Sequence, residues 1–203
     1  TLTGLAQLVA EELDADWKKV KWEYPTPGQN LARNRIWGDM STGGSRGIRG
    51  SHDYVRQGGA AAKQMLIQAA ADQWKVPTSE CTAAASVITH APTKRTISYG
   101  KVASAAAKFP VPELKTMKLK DPKDWTIAGK PLKRLDTVDK TTGKQIYGID
   151  LKMPGMLSAS IKDSPIHVAK IKSFDAAKAK AMPGVKGVYQ VGGGAVAVVA
   201  ETW

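Results

Sequence analysis

The sequence predicts an α+β protein in which a helical first part is followed by a strand-rich second part. Apolar residues recur at helical spacing at the start of the chain and again before Pro77. Short apolar runs bounded by turn residues dominate from residue 132 onwards. Between the two parts, residues 109–131 are rich in proline and lysine and lack periodicity, which predicts a linker between domains at 1–108 and 132–203.

The first two elements are predicted by an amphipathic pattern and then an alternating one. Residues 1–13 predict a helix with one apolar face, formed by Leu2, Leu5, Ala6, Val9 and Leu13. The opposite face carries the acidic residues Glu11, Glu12 and Asp14. Farther along the chain, Val20, Trp22 and Tyr24 alternate with charged residues, which predicts a strand.

A long loop and a long helix come next. Residues 25–50 are rich in Gly, Pro, Asn and Arg and have no period, and loops of this length are usually functional or disordered. Ser51 is a plausible N-cap for a helix that ends before Pro77. Gly58 and Gly59 disfavour this helix by about 1 kcal/mol each, which indicates close packing against another backbone.

Shorter elements complete both domains. Residues 87–89 and 96–99 predict a hairpin, after which Ser98 can cap an alanine-rich helix over residues 99–108. In the second domain Asp175 can cap a short helix that Pro183 and Gly184 end. Five runs there predict strands of a small α+β sandwich: residues 146–151, 157–161, 171–174, 185–191 and 195–200.

Composition excludes several classes of function. No run of eighteen apolar residues occurs, so the sequence predicts no membrane span. The single cysteine, Cys81, excludes an intrachain disulfide and an all-cysteine metal site, and its simplest interpretation is a small apolar filler. His52, His90 and His167 lie far apart without metal-ligand spacing, so we expect no metal bound by protein side chains.

The net charge of +12 raises nucleic acid as a possible partner. Most of this charge lies late in the chain, with +3 in residues 1–95 and +9 in residues 96–203. The lysines of residues 115–144 are interleaved with aspartates, which is typical of a solvated connector. No motif of a nucleic-acid-binding fold accompanies them, so we expect no nucleic-acid partner.

The residues that carry chemistry lie in the glycine-rich segment 41–50. Glycines let backbone N–H groups approach a ligand, and Arg46 and Arg49 can grip phosphate oxygens just before a helix start. This pattern predicts an anion cradle. Such loops also serve merely as turns, and this one is neither a Walker loop nor a dinucleotide fingerprint.

Segments along nearly the whole chain resemble those of one enzyme family, and they occur in the same order as in that family. In the first half they are AEELDADW at 10–17, STGGSR at 41–46, GGAAA at 58–62 and WKVP at 74–77. In the second half they are GKPLKRLD at 129–136, KTTGK at 140–144, YGID at 147–150, MPGML at 153–157, SP at 164–165, AMPGV at 181–185 and VAVVA at 196–200. These segments resemble the bacterial isoquinoline 1-oxidoreductase beta-subunit and periplasmic aldehyde dehydrogenase group of xanthine-oxidase-type molybdenum hydroxylases.

This resemblance implies a molybdopterin-binding-type α/β domain at 1–108 and an aldehyde-oxidase a/b hammerhead-type domain at 132–203. It also implies that Thr42, Gly43, Gly44, Ser45 and Arg46 contact molybdopterin cytosine dinucleotide. The family's active-site glutamate belongs near the far end of a much longer chain, so no catalytic residue is expected here. The family's Gly-Gln-Gly motif before Thr1 is absent, and its Trp-Gly-Val-Pro turn has Lys75 in place of glycine.

The implied function is oxidation of aldehydes or hydroxylation of N-heteroaromatic compounds, in the periplasm. The implied partners are the remainder of the molybdenum subunit, a [2Fe–2S] subunit and, in some members, a cytochrome c subunit. The chain starts inside an amphipathic pattern and stops after an apolar run, so we expect a fragment that is inactive alone. The alternative is a non-catalytic binding or assembly module that retains no cofactor.

Overall fold

Helices dominate the first of two units into which the chain divides, Thr1–Thr142 and Gly143–Trp203. The structure, a computed structural model, describes residues 1–41 and 43–203. Its helices in the first unit are α1 Leu2–Leu13, α2 Pro27–Ala32, α3 Arg46–Arg49, α4 His52–Trp74, α5 Tyr99–Ala106 and α6 Thr137–Thr141. The strands β1 Cys81–Ala84, β2 Val87–His90 and β3 Thr96–Ser98 form an antiparallel sheet in the order β1-β2-β3.

The core of the first unit lies between the end of α4, the sheet and α5. Ala70, Ala71, Ile88 and Val102 are fully buried there, and small side chains on α4 let the sheet approach closely. The predicted first helix, long helix, hairpin and alanine-rich helix are confirmed, whereas strand β1 was not predicted. Ser51 is the N-cap of α4, but its hydroxyl bonds to Tyr54 Oη at 2.7 Å and makes no cap hydrogen bond.

Helices α1 and α4 approach each other most closely at Gly59. A Cβ placed on Gly59 would lie 2.7 Å from the carbonyl oxygen of Val9, which is closer than real atoms come. A Cβ on Gly58 would have nothing within 4 Å. The predicted close packing against another backbone is therefore confirmed for Gly59 and wrong for Gly58.

Helix α1 buries the acidic part of its surface. Glu11 and Glu12 are each 1% exposed, whereas Leu2, Leu5, Val9 and Leu13 on the apolar face are only half-buried. Simple amphipathicity predicts the reverse arrangement. The physical reason is that both carboxylates are satisfied by cationic side chains and backbone amides, without which burial of a charge is very costly.

Those amides and one of the cations belong to residues 118–128, inside the stretch that the sequence analysis interprets as a linker. Glu11 Oε2 accepts hydrogen bonds from the amides of Thr126, Ile127 and Ala128, at 2.9, 2.5 and 3.0 Å. Lys120 Nζ lies 2.8 Å from Glu11 Oε1 and 2.5 Å from Asp14 Oδ1. This part of the stretch is therefore anchored to α1. The two compact units divide in sequence between Thr142 and Gly143, and the division into family domains at 1–108 and 132–203 stays a prediction.

The same network is completed by Arg56 of α4. Its Nε and Nη2 lie 2.8 and 2.7 Å from Glu12 Oε1, and Nη2 also donates to the carbonyl of Lys120 at 2.6 Å. The guanidinium lies over the Trp125 ring, 5.2 Å from its centroid. Three segments that are distant in sequence are thus held at one buried cluster of charges, the acidic clamp, formed by Glu11, Glu12, Asp14, Arg56 and Lys120.

Limited proteolysis checks where the chain is accessible. Trypsin is expected to cut first after the exposed Lys144, next to the boundary between the units. Cleavage after Lys120 is expected to be slower because its side chain and carbonyl are both held in the acidic clamp. Mass spectrometry of early fragments measures the order, and early cleavage after Lys120 would contradict the anchoring of this segment.

Residues 20–24 do not form the predicted strand. This stretch is outside every helix and strand, and Val20 has an extended backbone with φ −66° and ψ 126°. The alternating pattern is present, but a strand also needs a neighbour to pair with. No described residue of the chain pairs with this segment.

The second unit contains helix α7 Ala177–Lys180 and strands β4 Ser158–Asp163, β5 Val185–Val191 and β6 Ala195–Ala200, antiparallel in the order β4-β6-β5. The strands predicted at 157–161, 185–191 and 195–200 are confirmed. Those at 146–151 and 171–174 are wrong, since the first range holds only a 3-10 turn, Gly148–Asp150, and the second holds no regular element. Asp175 accepts a hydrogen bond from the Ala177 amide at 2.8 Å, but the N-cap of α7 is Ala176 and not Asp175 as predicted. The hammerhead architecture stays a prediction.

Candidate cofactor-binding loop

Of the predicted site residues, Gly43, Gly44 and Ser45 lie in the exposed loop before α3, and Arg46 is the first residue of that helix. Gly43, Gly44 and Ser45 lead directly into this four-residue helix, which the sequence analysis did not predict. Thr42 lies outside the described residues. The loop therefore runs into α3 first, and it does not enter the long helix α4 directly as predicted.

Backbone N–H groups are the most abundant free donors of this loop. Gly44 and Ser45 have positive φ angles of 51° and 59°, which turn successive peptide groups outwards. Within the described part of the chain, the N–H groups of Gly43, Gly44, Ser45 and Gly47 have no hydrogen-bond acceptor. A Cβ on Gly43 would meet nothing within 4 Å, so the space in front of the loop is open.

Arg46 already has an acidic partner within the chain. Its Nη2 lies 2.9 and 3.0 Å from the two carboxylate oxygens of Asp39, and it also contacts the Ser41 hydroxyl. The Ser41 amide and the Arg46 guanidinium lower the pKa of Asp39 because both stabilise its ionised form. The guanidinium that the sequence analysis assigned to a phosphate is thus held by a carboxylate here.

Arg49 is the second cation at the loop. It is exposed, and a Cβ on Gly44 would lie 3.9 Å from its Nη2, so its guanidinium stands beside the glycine turn. None of its side-chain nitrogens has an acidic partner among the described residues. An open depression of about 450 Å³ borders the loop and is lined by Trp37, Asp39, Ser41, Arg46 and Tyr54.

Asp39 and Ser41 are the residues of this region that the sequence analysis missed. Asp39 Oδ1 accepts the Ser41 amide at 3.0 Å, which is the bond of an Asx turn. An aspartate two residues before a serine, at the end of a glycine-containing loop, is the signal that predicts such a turn. The arrangement presents Arg46 to the open depression and gives it a displaceable partner.

The buried residues His90 and Cys81, which have potentially reactive side chains, have structural roles. His90 is 3% exposed, and its two ring nitrogens lie 2.7 Å from Glu80 Oε2 and 2.7 Å from Thr93 Oγ1. Burial raises the pKa of Cys81, which disfavours a reactive thiolate. Across residues 1–41 and 43–203 no three His, Cys, Asp or Glu side chains are grouped as metal ligands.

The described helices include none that combines the length and the apolar character required to cross a membrane. No model of a known protein family matches the chain.

Curated proteins match it along nearly its whole length. It is 29% identical over 229 residues to isoquinoline 1-oxidoreductase subunit beta of Brevundimonas diminuta, covering 97% of this chain and 29% of that protein. It is 32% identical over 212 residues to the membrane-bound aldehyde dehydrogenase (pyrroloquinoline-quinone) of Gluconacetobacter polyoxogenes, covering 99% and 26%. A shorter match, 35% over 66 residues, joins 32% of this chain to 16% of the nicotinate dehydrogenase large molybdopterin subunit of Eubacterium barkeri. The chain spans less than a third of each relative.

Proposed function

Because the chain belongs to the large subunits of xanthine-oxidase-type molybdenum hydroxylases, we propose that it forms part of the molybdopterin-binding subunit of an oxidoreductase. The substrates are aldehydes or N-heteroaromatic compounds. The observation that carries the cofactor assignment is the run of N–H groups at Gly43, Gly44, Ser45 and Gly47, for which residues 1–41 and 43–203 provide no acceptor. Exposed backbone donors on a turn of positive φ angles are suited to the phosphate oxygens of a dinucleotide.

The proposed ligand is molybdopterin cytosine dinucleotide, which supplies the oxidative chemistry when it is bound. Residues 42–46 hold and orient it, with Arg49 adding positive charge beside the glycine turn. Arg46 joins them by leaving Asp39. Both side chains of that pair are more than half exposed, at 56% and 66%, so solvent screens their attraction and a phosphate can replace the carboxylate.

The other parts of the enzyme lie outside this chain in the proposal. The remainder of the molybdenum subunit supplies the catalytic base and most of the cofactor pocket. A [2Fe–2S] subunit accepts electrons, a cytochrome c subunit continues the transfer in some enzymes, and the location is the periplasm. No residue of this chain acts on the substrate.

A non-catalytic binding or assembly module is the second candidate. Two observations favour it: Arg46 is engaged by Asp39, and the chain spans less than a third of its relatives. The aldehyde dehydrogenase of Gluconacetobacter polyoxogenes is named for pyrroloquinoline-quinone and not for molybdopterin. Cofactor content of the purified protein separates these possibilities.

The variants Arg46→Ala and Asp39→Asn test the loop in the enzyme that carries this chain. Loss of charge-assisted hydrogen bonds is expected to lower cofactor retention about ten- to hundredfold in Arg46→Ala. Arg46→Lys should recover only part of it because an ammonium lacks the planar fork. Asp39→Asn should retain at least the normal content, since it releases Arg46. Molybdenum and cytidine nucleotide per mole of purified protein are the quantities measured.

Arg35→Ala is the matched control because Arg35 is exposed in the same loop region and has no described side-chain partner. Arg95, which lies over Trp74 at 5.5 Å, is unsuitable. Full occupancy in Arg46→Ala, with both Arg46→Ala and Asp39→Asn melting at lower temperature, would show that the pair only shapes a turn. Bound quinone without molybdenum would overturn the cofactor class.

A further inference from the structure

The apolar face of α1 lines an open groove. The groove has a volume of about 760 Å³ and lies between α1 and residues 19–25. Leu2, Leu5, Val9 and Leu13 contribute to its wall from the helix and stay half-buried. Because α1 buries the side that carries the acidic clamp, this apolar stripe is only partly covered by the described residues.

The opposite wall is an extended segment whose backbone is unpaired. Lys21, Trp22, Glu23 and Tyr24 donate and accept no backbone hydrogen bond within residues 1–41 and 43–203. The Trp22 and Tyr24 rings meet edge to face, 5.3 Å apart, as side chains two apart on one face of a strand do. The segment therefore has the form of a strand that lacks a neighbour.

We propose that this groove receives an extended β-strand from a part of the large subunit beyond these 203 residues. The strand pairs with residues 21–24 and places apolar side chains of alternate positions against α1. Lys19 and Lys21 line the groove and are exposed, so the intervening positions of the incoming strand are acidic. The result is a two-stranded layer covered by a helix. The backbone groups of the segment then gain hydrogen bonds, and the apolar face of α1 is buried.

The same polypeptide is a better occupant than a second copy of this chain. Relatives that align with nearly the whole chain match it with only 26–29% of their own length, so most of each relative is available to provide the strand. A strand within one polypeptide also acts at a high effective concentration, which a separate molecule lacks. The proposal rests on family membership and does not depend on the cofactor loop.

Peptides test the proposal directly. Overlapping peptides that cover the Brevundimonas diminuta subunit outside its aligned region are titrated into the purified chain. We expect peptides of alternating apolar and acidic character to bind, and to slow hydrogen exchange of the Lys21–Tyr24 amides at least about tenfold. Peptides with a scrambled order of the same residues should have no effect.

Tyr24→Asp is the test variant, because Tyr24 is 66% exposed and the substitution leaves the core intact. It should weaken peptide binding at least about tenfold. Tyr147→Asp, at a similarly exposed tyrosine (53%) of the second unit, should bind normally. Failure of every peptide to protect residues 21–24 would overturn the proposal. A concentration-dependent dimer in sedimentation experiments that Tyr24→Asp abolishes would show instead that a second copy fills the groove.

Discussion

Replacement of Glu11 by alanine is expected to destabilise the first unit by about 3–5 kcal/mol. The substitution leaves the amides of Thr126, Ile127 and Ala128 without their shared acceptor and removes one of the two carboxylates bonded to Lys120. A buried donor that loses its partner costs more than the original bond contributed. Urea unfolding followed by tryptophan fluorescence measures the change, because five of the six tryptophans lie in this unit.

Glu113→Ala is the control for this experiment. Glu113 is exposed, so its replacement should change the free energy of unfolding by less than about 0.5 kcal/mol. An unfolding midpoint for Glu11→Ala equal to that of the unmodified chain would show that the acidic clamp does not hold residues 118–128. In that event the stretch would be a free linker, as its composition predicts.

The clamp also has a pH dependence of defined sign. Burial raises the pKa of Glu11, but the Lys120 ammonium and the amides of Ile127 and Ala128 outweigh this effect, and the net pKa is lowered. An acid whose pKa is lower in the folded state stabilises the fold above its unfolded pKa. Its contribution is lost as the pH falls through the lowered value. The contribution of Glu11 to the clamp is thus present at neutral pH and is lost in acid.

Alanine substitutions at Gly58 and Gly59 are expected to have opposite effects on stability. Gly59→Ala forces a methyl group to within 2.7 Å of the Val9 carbonyl oxygen and should destabilise the first unit by about 1–3 kcal/mol. Gly58→Ala meets nothing within 4 Å and should stabilise it by up to about 1 kcal/mol, because alanine favours the helix. The chemical change is the same at both positions, so helix propensity alone cannot produce opposite signs.

Paired urea unfolding curves of the two variants make this comparison. In the double variant Val9→Ala with Gly59→Ala, the losses in free energy of unfolding of the two single variants should add. They are independent because the clash involves the Val9 backbone and not its side chain. If Gly59→Ala is as stable as Gly58→Ala, then α1 and α4 do not approach as closely as the structure indicates.

Local patterns of the sequence predicted four of the seven α-helices and five of the six strands that residues 1–41 and 43–203 form. Helix α1, the long helix α4, the β2–β3 hairpin and the last two strands were all predicted because their periodicity, capping residues and turns act within a few residues. The glycine-rich loop was also identified from its own residues, and the family from segments spread along the chain.

Only the tertiary structure decided which surfaces are buried. Amphipathicity assigned the acidic side of α1 to the surface, but the contacts of Glu11 with residues 120–128 cross more than a hundred positions of sequence. The pairing of Arg46 with Asp39, and the lack of a backbone partner for residues 21–24 among the described residues, likewise depend on what lies opposite each group. A residue's own chemistry sets the cost of burying it, whereas its partners, brought together by the fold, decide whether that cost is met.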